Sequence, residues 1–278
     1  MKSVSAHERL WGDRRGWDER PLLRELYLNW FGMMASHLRP GRIVELGSGP
    51  GRFAEQCEGV IATDIVHLPW LDVVLDATRL PFGEGEVDNL VMLDVFHHLD
   101  VVAFLDEAGR VLSPGGRVVM IEPYISAFSY LIYHFVHDEP TRMKGDPFFV
   151  DPALSDRPFD GNQALPTLVF WRFAERFCQR WPIFSIRFKE LFSILLYPLS
   201  GGYRYPKLIP TSCIPVGRRI EKCLHPFRRW LAFRTLVVLE KRNVVSNAAE
   251  AEEMQPLAVK GPGEQTTLGP GSDVAADG

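Results

Sequence analysis

Cysteine is scarce and scattered in this chain. Cys57, Cys178, Cys213 and Cys223 form no C-x-x-C pair and have no histidine at zinc-finger spacing, which excludes a disulfide scaffold and a zinc-ribbon module. Reduced thiols in a cytoplasmic protein are expected. Long apolar runs are also lacking. The longest, Leu191 to Leu199, is interrupted by Ser193 and Pro198 and is too short to span a bilayer. The N-terminal segment is charged (His7, Glu8, Arg9, Asp13, Arg14, Arg15) and has no apolar core of a signal peptide. No charge sign dominates: 31 Lys and Arg stand against 35 Asp and Glu, and six of those acids lie beyond Asn243 with a single lysine. The body is therefore near neutral, which argues against a nucleic-acid partner. No repeat appears.

Glycine, in contrast, is concentrated at one place. Residues 42–53 read RIVELGSGPGRF. Ile43, Val44 and Leu46 predict a short buried parallel strand with Glu45 near its end. Gly47, Gly49 and Gly51 follow, with only Ser48 and Pro50 between them. Such a run fits a tight strand-to-helix turn where backbone approaches a ligand, with a helix from about Arg52. A dinucleotide fingerprint would place the third glycine one residue later.

The rest of the chain supplies more of a doubly wound pattern. Residues 7–39 predict one or two helices, with Leu22, Leu23, Leu26, Trp30 and Met33 at helical spacing and Pro21 in a first turn. Residues 60–65, VIATDI, predict a second strand ending at Asp64, whose two oxygens match the spacing of a ribose diol. The following connection is too short for a crossover helix. DVVLDATRLPF, 72–82, predicts a third strand ending at Asp76-Ala77, and residues 86–100 a fourth strand running into a helix, with Leu93 and Asp94 at the ligand edge of the sheet. His97 and His98 follow, and a histidine there is a candidate to take a proton from an acceptor at neutral pH. Leu105, Ala108, Val111 and Leu112 form a helix face. Ser113-Pro114-Gly115-Gly116 is a stop, and Arg117–Glu122 a fifth strand.

The glycine loop after Glu45, the D-A-x-x-L-P-F segment from Asp76, and the string L-x-E-A-x-R-V-L-x-P-G-G-x-V-V from Leu105 occur in this order. Together they resemble the class I S-adenosylmethionine-dependent methyltransferases of the small-molecule, ubiquinone/menaquinone-biosynthesis-like branch (methyltransferase type 11). The resemblance covers residues 42–124. It implies an α/β fold: a doubly wound, seven-stranded, mostly parallel sheet. It implies S-adenosylmethionine as cofactor, with Glu45, Gly47, Ser48, Gly49 and Gly51 at the amino-acid end and Asp64 at the ribose. Asp76 and Ala77 would read the adenine, and Ile65 and Leu93 complete the set. The acceptor would be a small molecule, with His97 or His98 handling its proton. A methyltransferase-like scaffold without turnover and a nicotinamide oxidoreductase are the rival readings.

Beyond Tyr124 the resemblance fades. A sixth strand is expected near Ile183–Phe188 and a last strand at Arg234–Glu240. This leaves an arm at 1–40, a methyltransferase domain at 41–242 and cap insertions at about 124–170 and 190–230. The tail, 243–278, is expected to be acidic and disordered. The cap is aromatic. His134, His137, Asp138 and Glu139 form a candidate metal cluster within it, although methyl transfer by this resemblance calls for no metal. Residues 197–234 mix Arg204, Lys207, Arg218, Arg219, Lys222, Arg228, Arg229 and Arg234 with Tyr203, Tyr205, Leu208, Phe227 and Trp230. That mixture raises an anionic or lipid-linked acceptor and a peripheral membrane contact as hypotheses.

Overall fold

The computed structural model describes residues 6–136, 139–149, 161–203 and 205–243; the expected tail beyond Asn243 lies outside these, as do His137 and Asp138. Seven strands make one sheet: β1 Ile43–Leu46, β2 Val60–Asp64, β3 Val73–Val74, β4 Val87–Leu93, β5 Leu112–Pro123, β6 Phe184–Phe192 and β7 Arg234–Lys241. Their order is β3-β2-β1-β4-β5-β7-β6. β1 to β5 pair in parallel, and β7 runs antiparallel to both β5 and β6. The order reverses between β1 and β4, so a crevice opens at their C-terminal ends.

The sheet is covered on both faces, and alternation along the central strands decides which residue meets which layer. Val118 and Met120 of β5, with Leu90 and Met92 of β4, pack on one side with Phe104, Leu105 and Ala108 of helix α3 (Val101–Val111). Val119, Ile121 and Val91 pack on the other side with Leu23, Tyr27, Trp30, Phe31 and Met34 of α2 (Pro21–Ala35). In α2 these residues recur at helical spacing behind a first-turn Pro21. Helix α3 begins at Asp100, whose carboxylate accepts the Val102 and Ala103 N–H groups at 2.9 and 3.1 Å. Ahead of α2 lies α1 (Ala6–Gly16), and after β5 comes α4 (Ala127–Val136).

Four sequence expectations are corrected. No helix follows the glycine loop; residues 49–56 are successive turns, because only seven residues separate Gly51 from Gly59 before β2 must begin. β3 shrinks to two residues, and Asp76 bridges Arg79 instead of extending it. β5 starts at Leu112, and its register with β4 jumps between Val87↔Leu112 and Asn89↔Arg117, so the Ser113–Gly116 stop is a bulge within the strand. β6 begins one residue later than expected and continues to Phe192.

The two free margins of the sheet differ. β3 is short, with Val73 and Val74 exposed, while β6 carries the exposed Arg187, Phe188 and Lys189 along its middle. The chain between β5 and β6, and again between β6 and β7, supplies the cap. Ile125, Tyr133, Ala164, Leu168 and Phe233 form a separate small core there.

Candidate active site

A cavity of about 1330 Å³ lies over the C-terminal ends of β1, β2 and β4. That exceeds the usual ~300–1,000 Å³ of a small-molecule pocket, so it has room for a nucleoside and a second molecule. Glu45, Gly47, Ser48, Gly49, Asp64, Ile65, Asp76, Ala77, Leu93, His97 and His98 all line it. Gly51 does not. It sits at φ +71°, where a Cβ would fall 2.5 Å from Trp70 Cδ1, so its missing side chain makes room for Trp70. Trp70 Nε1 donates to Gly49 O at 2.9 Å, and Arg14 of α1 lies 4.5 Å over its ring. Arg14 also donates to Pro50 O and pairs with Glu55 at 2.7 Å. The N-terminal arm thus bears directly on the loop, and its Arg9, Leu10 and Asp13 reach the cavity wall.

Strand β2 fixes the loop from below. Thr63 Oγ1 donates to Glu45 O at 2.6 Å, Ser48 N–H donates to Thr63 O at 2.8 Å, and Thr63 N–H donates to Ser48 Oγ at 2.9 Å. Asp64 accepts Gly49 N–H at 2.9 Å and Val66 N–H at 3.0 Å. These bonds take one site on each oxygen, so the carboxylate keeps acceptor capacity toward the cavity. Burial nevertheless raises its pKa against those N–H groups.

Glu45 is less well provided for. It is 4% exposed, and its Oε2 has no hydrogen-bond partner. Burial pushes its pKa up to about 8, opposed by the Ser48 hydroxyl and reinforced by the Asp64 charge. A buried carboxylate without a partner favours any cation brought to it.

Asp76 accepts Thr78 N–H at 2.8 Å and the Thr78 hydroxyl at 2.7 Å, an Asx-type turn. The Leu80-Pro81-Phe82 turn beneath it is pinned from α3. Glu107 accepts Leu80 N–H at 2.6 Å, and Arg110 donates to Phe82 O at 2.7 Å and Leu80 O at 3.1 Å. That explains why the Glu and Arg of the E-A-x-R string accompany the L-P-F turn.

Opposite the glycine loop the chemistry changes. Glu122, at the end of β5, is fully buried. Its Oε1 accepts Val95 and Phe96 N–H, both at 2.8 Å, and its Oε2 meets His97 Nδ1 at 2.7 Å. On the other side of the ring, Glu139 Oε2 lies 3.4 Å from Nε2. Burial opposes charging of His97, but Glu122 and then Glu139 outweigh it and hold the pKa at about 10. In the metal-free protein the two carboxylates favour the protonated ring, which works against a general-base role for His97. His98 lies beside it, its ring tilted by 39° with centroids 4.1 Å apart.

The sequence did not single out Glu122, and it grouped Glu139 with His134, His137 and Asp138, of which His137 and Asp138 lie outside the described residues. His134 stacks on Tyr130 at the cap surface, with centroids 5.4 Å apart. Arg234 of β7, expected with the basic face of 197–234, belongs instead to the interior. It is buried, pairs with Asp94, donates to Tyr197 Oη at 2.5 Å, and lies 4.4 Å over the Tyr197 ring. Asp94 itself holds φ +59°, an uncommon backbone for a non-glycine residue and one kept here by that ion pair at the cavity wall.

Residues 44–120 match the family model described as a methyltransferase domain. No curated protein matches the chain. Among solved structures, a SAM-dependent methyltransferase from Archaeoglobus fulgidus is 16% identical, over 78% of this chain and 94% of that one, with a TM-score of 0.49. Geranyl diphosphate C-methyltransferase from Streptomyces coelicolor, solved with Mg2+, geranyl diphosphate and S-adenosyl-L-homocysteine, is 16% identical over 79% and 80% of the two chains, with a TM-score of 0.42.

The matched stretch and the strand order together are those of a class I S-adenosylmethionine-dependent methyltransferase. S-adenosylmethionine is the cofactor this domain implies, and methyl transfer its class of activity.

Proposed function

We propose that this cavity binds S-adenosylmethionine at its glycine-loop end and a small-molecule acceptor under the cap. The observation that carries the reading is Glu45, a buried carboxylate with an unpartnered oxygen on the cavity wall beside three residues of the loop. The cofactor's α-ammonium satisfies that oxygen. Asp64 takes the ribose hydroxyls with its remaining lone pairs, Asp76 the adenine amino group, and the Ala77 backbone the ring. Gly47, Ser48 and Gly49 give the close backbone approach, with Ile65 and Leu93 flanking. When bound, the cofactor supplies a sulfonium methyl that an acceptor atom attacks in line. The chain's own task is alignment and exclusion of water. Leu10 and Tyr203 close the cavity on the side of the arm, and Phe148 and Phe149 on the side of the cap.

Two observations bear on the acceptor. Arg142 and Lys144 of the cap line the cavity, which suits an anionic group. Outside it, the helix Ile214–Leu224 exposes Val216 and Ile220, and Phe227 and Trp230 follow on the surface beside Arg219, Lys222, Arg228 and Arg229. This favours a lipid-linked acceptor reached from a membrane surface. Among the described residues no helix is long and apolar enough to cross a membrane. Vesicles containing anionic lipid should sediment the protein at low salt and neutral vesicles should not; failure of both ends this part of the reading.

The cofactor assignment is tested by calorimetric titration with S-adenosylhomocysteine. Asp64→Ala removes charge-assisted hydrogen bonds worth about 1.5–3 kcal/mol, so affinity should fall roughly ten- to a hundred-fold. Asp64→Asn controls for the bond to Gly49, and both variants are checked for folding by circular dichroism. An unchanged dissociation constant in folded Asp64→Ala refutes the assignment. Methylated product from candidate acceptors then separates an enzyme from a cofactor-holding scaffold.

A further inference from the structure

Two groups of side chains at the His97 end of the cavity have the spacing of metal ligands. One is Asp94, His97 and Glu122; the other is His97, His98 and Glu139, and in each the donor atoms lie within 4.8 Å of one another. The first is committed elsewhere. Asp94 is paired with Arg234, and both oxygens of Glu122 are used by the Val95 and Phe96 N–H groups and by His97 Nδ1.

The second group has the opposite character. His97 turns Nε2 away from Glu122, toward Glu139 at 3.4 Å. Bonds of about 2.1 Å to a tetrahedral ion place its ligand atoms about 3.4 Å apart. The backbone delivers His97 and His98 on one short turn, Phe96–His98, and Glu139 from the start of the cap loop that continues through Pro140. His97, His98 and Pro140 all face the cavity. Glu122 fixes Nδ1 of His97 and orients the ring so that Nε2 meets the ion, which displaces the proton that Glu122 and Glu139 favour there. Gln163 Nε2 also bonds Glu139 Oε2, and Arg9 stands 3.8 Å from Oε1. At Oε2 the metal takes the place of the Gln163 amide and of the proton between Glu139 and His97.

We propose that His97 Nε2, a ring nitrogen of His98 and Glu139 hold a divalent transition-metal ion, zinc by the chemistry of the donor set. Two imidazoles and one carboxylate leave a tetrahedral ion one open position, which here faces the cavity. The ligand that suits that position is an oxygen of the acceptor, a hydroxyl or a carboxylate. Three such protein ligands leave the centre with one net positive charge, so an anionic oxygen completes it. The role toward the acceptor rests on the function proposed above; the metal site itself does not.

The test uses the full chain after dialysis against a chelator, with no cofactor present. Zn2+ alone is titrated calorimetrically, and Co2+ is the optical probe. One equivalent should bind. His98→Ala and Glu139→Gln should each weaken binding about tenfold or more, and Co2+ should give a visible spectrum without the strong near-ultraviolet band of thiolate ligation. Absence of stoichiometric binding overturns the proposal. So does equal affinity in wild type and both variants, or a thiolate band, which would place the ion on one of the four free cysteines. If Glu139→Gln melts early, His98→Ala decides, since His98 is only part-buried and its loss opens no core. A parallel titration with S-adenosylhomocysteine keeps the two readings apart. Cofactor binding without metal binding overturns this proposal alone, and the reverse result overturns only the function proposed above.

Discussion

The two ends of the cavity treat negative charge in opposite ways. At the glycine loop, Glu45 is buried with an oxygen left over, and Asp64 is bonded but not saturated. At the His97 end, Glu122 is saturated and Glu139 is drawn against an imidazolium. One end waits for a positive charge from outside, while the other already contains one. The contrast teaches what each set of carboxylates does in the resting protein: the first costs stability, and the second supplies it.

The larger effect is expected at the saturated end. Glu122→Ala strands two buried N–H groups and leaves His97 charged with one carboxylate fewer. Breaking a buried ion pair from one side costs about 3–5 kcal/mol. Urea unfolding should register a loss of that size, and a loss below about 1 kcal/mol would mean that Glu122 is not the anchor the geometry makes it.

A smaller effect, distinct in its pH dependence, is expected at the waiting end. The folded pKa of Glu45 is about 8, above its ordinary 4.5. A carboxyl whose pKa rises on folding contributes stability that is complete below 4.5 and lost as pH climbs through 8. The melting temperature of the cofactor-free protein should therefore fall between these limits relative to Glu45→Gln. S-adenosylhomocysteine should restore it, and by more at the alkaline side, because its ammonium pairs with the ionised form. Parallel melting curves for the two proteins across that window would dissolve the contrast between the two ends.

How much of this could be read beforehand depended on how far apart the partners lie in the chain. The glycine loop, Asp64, Asp76 and the L-P-F turn are local signals: each residue's task is set by its neighbours and by the strand it ends. The doubly wound, mostly parallel sheet followed from the same signals. The His97–Glu139 contact is different. Its partners come from the turn after β4 and from a loop of the cap, and nothing near Glu139 in sequence points to His97. His134 is nearer in the chain and at helical spacing from His137, so the local pattern pointed there and away from His97. Glu122 was hidden for another reason. At the end of an apolar strand it reads as an edge residue, and only the fold shows two backbone N–H groups waiting for it. The absent helix after Arg52 was a matter of length, since a glycine loop normally leads into a helix and here the chain must return to β2 within a few residues.

The margins of the sheet carry a consequence for behaviour at high concentration. An unpaired strand is a template on which another chain can add itself, and proteins blunt such templates by brevity or by charge. Here β3 uses brevity, two residues being too few to seat a foreign strand, although its valines are bare. β6 is long enough to recruit one but meets it with Arg187 and Lys189. Fibrillar or edge-to-edge self-association is thus discouraged at both sides by unrelated means, and changing the β6 cations to apolar residues would leave that nine-residue margin with the register break at Ile186/Phe188 as its remaining guard.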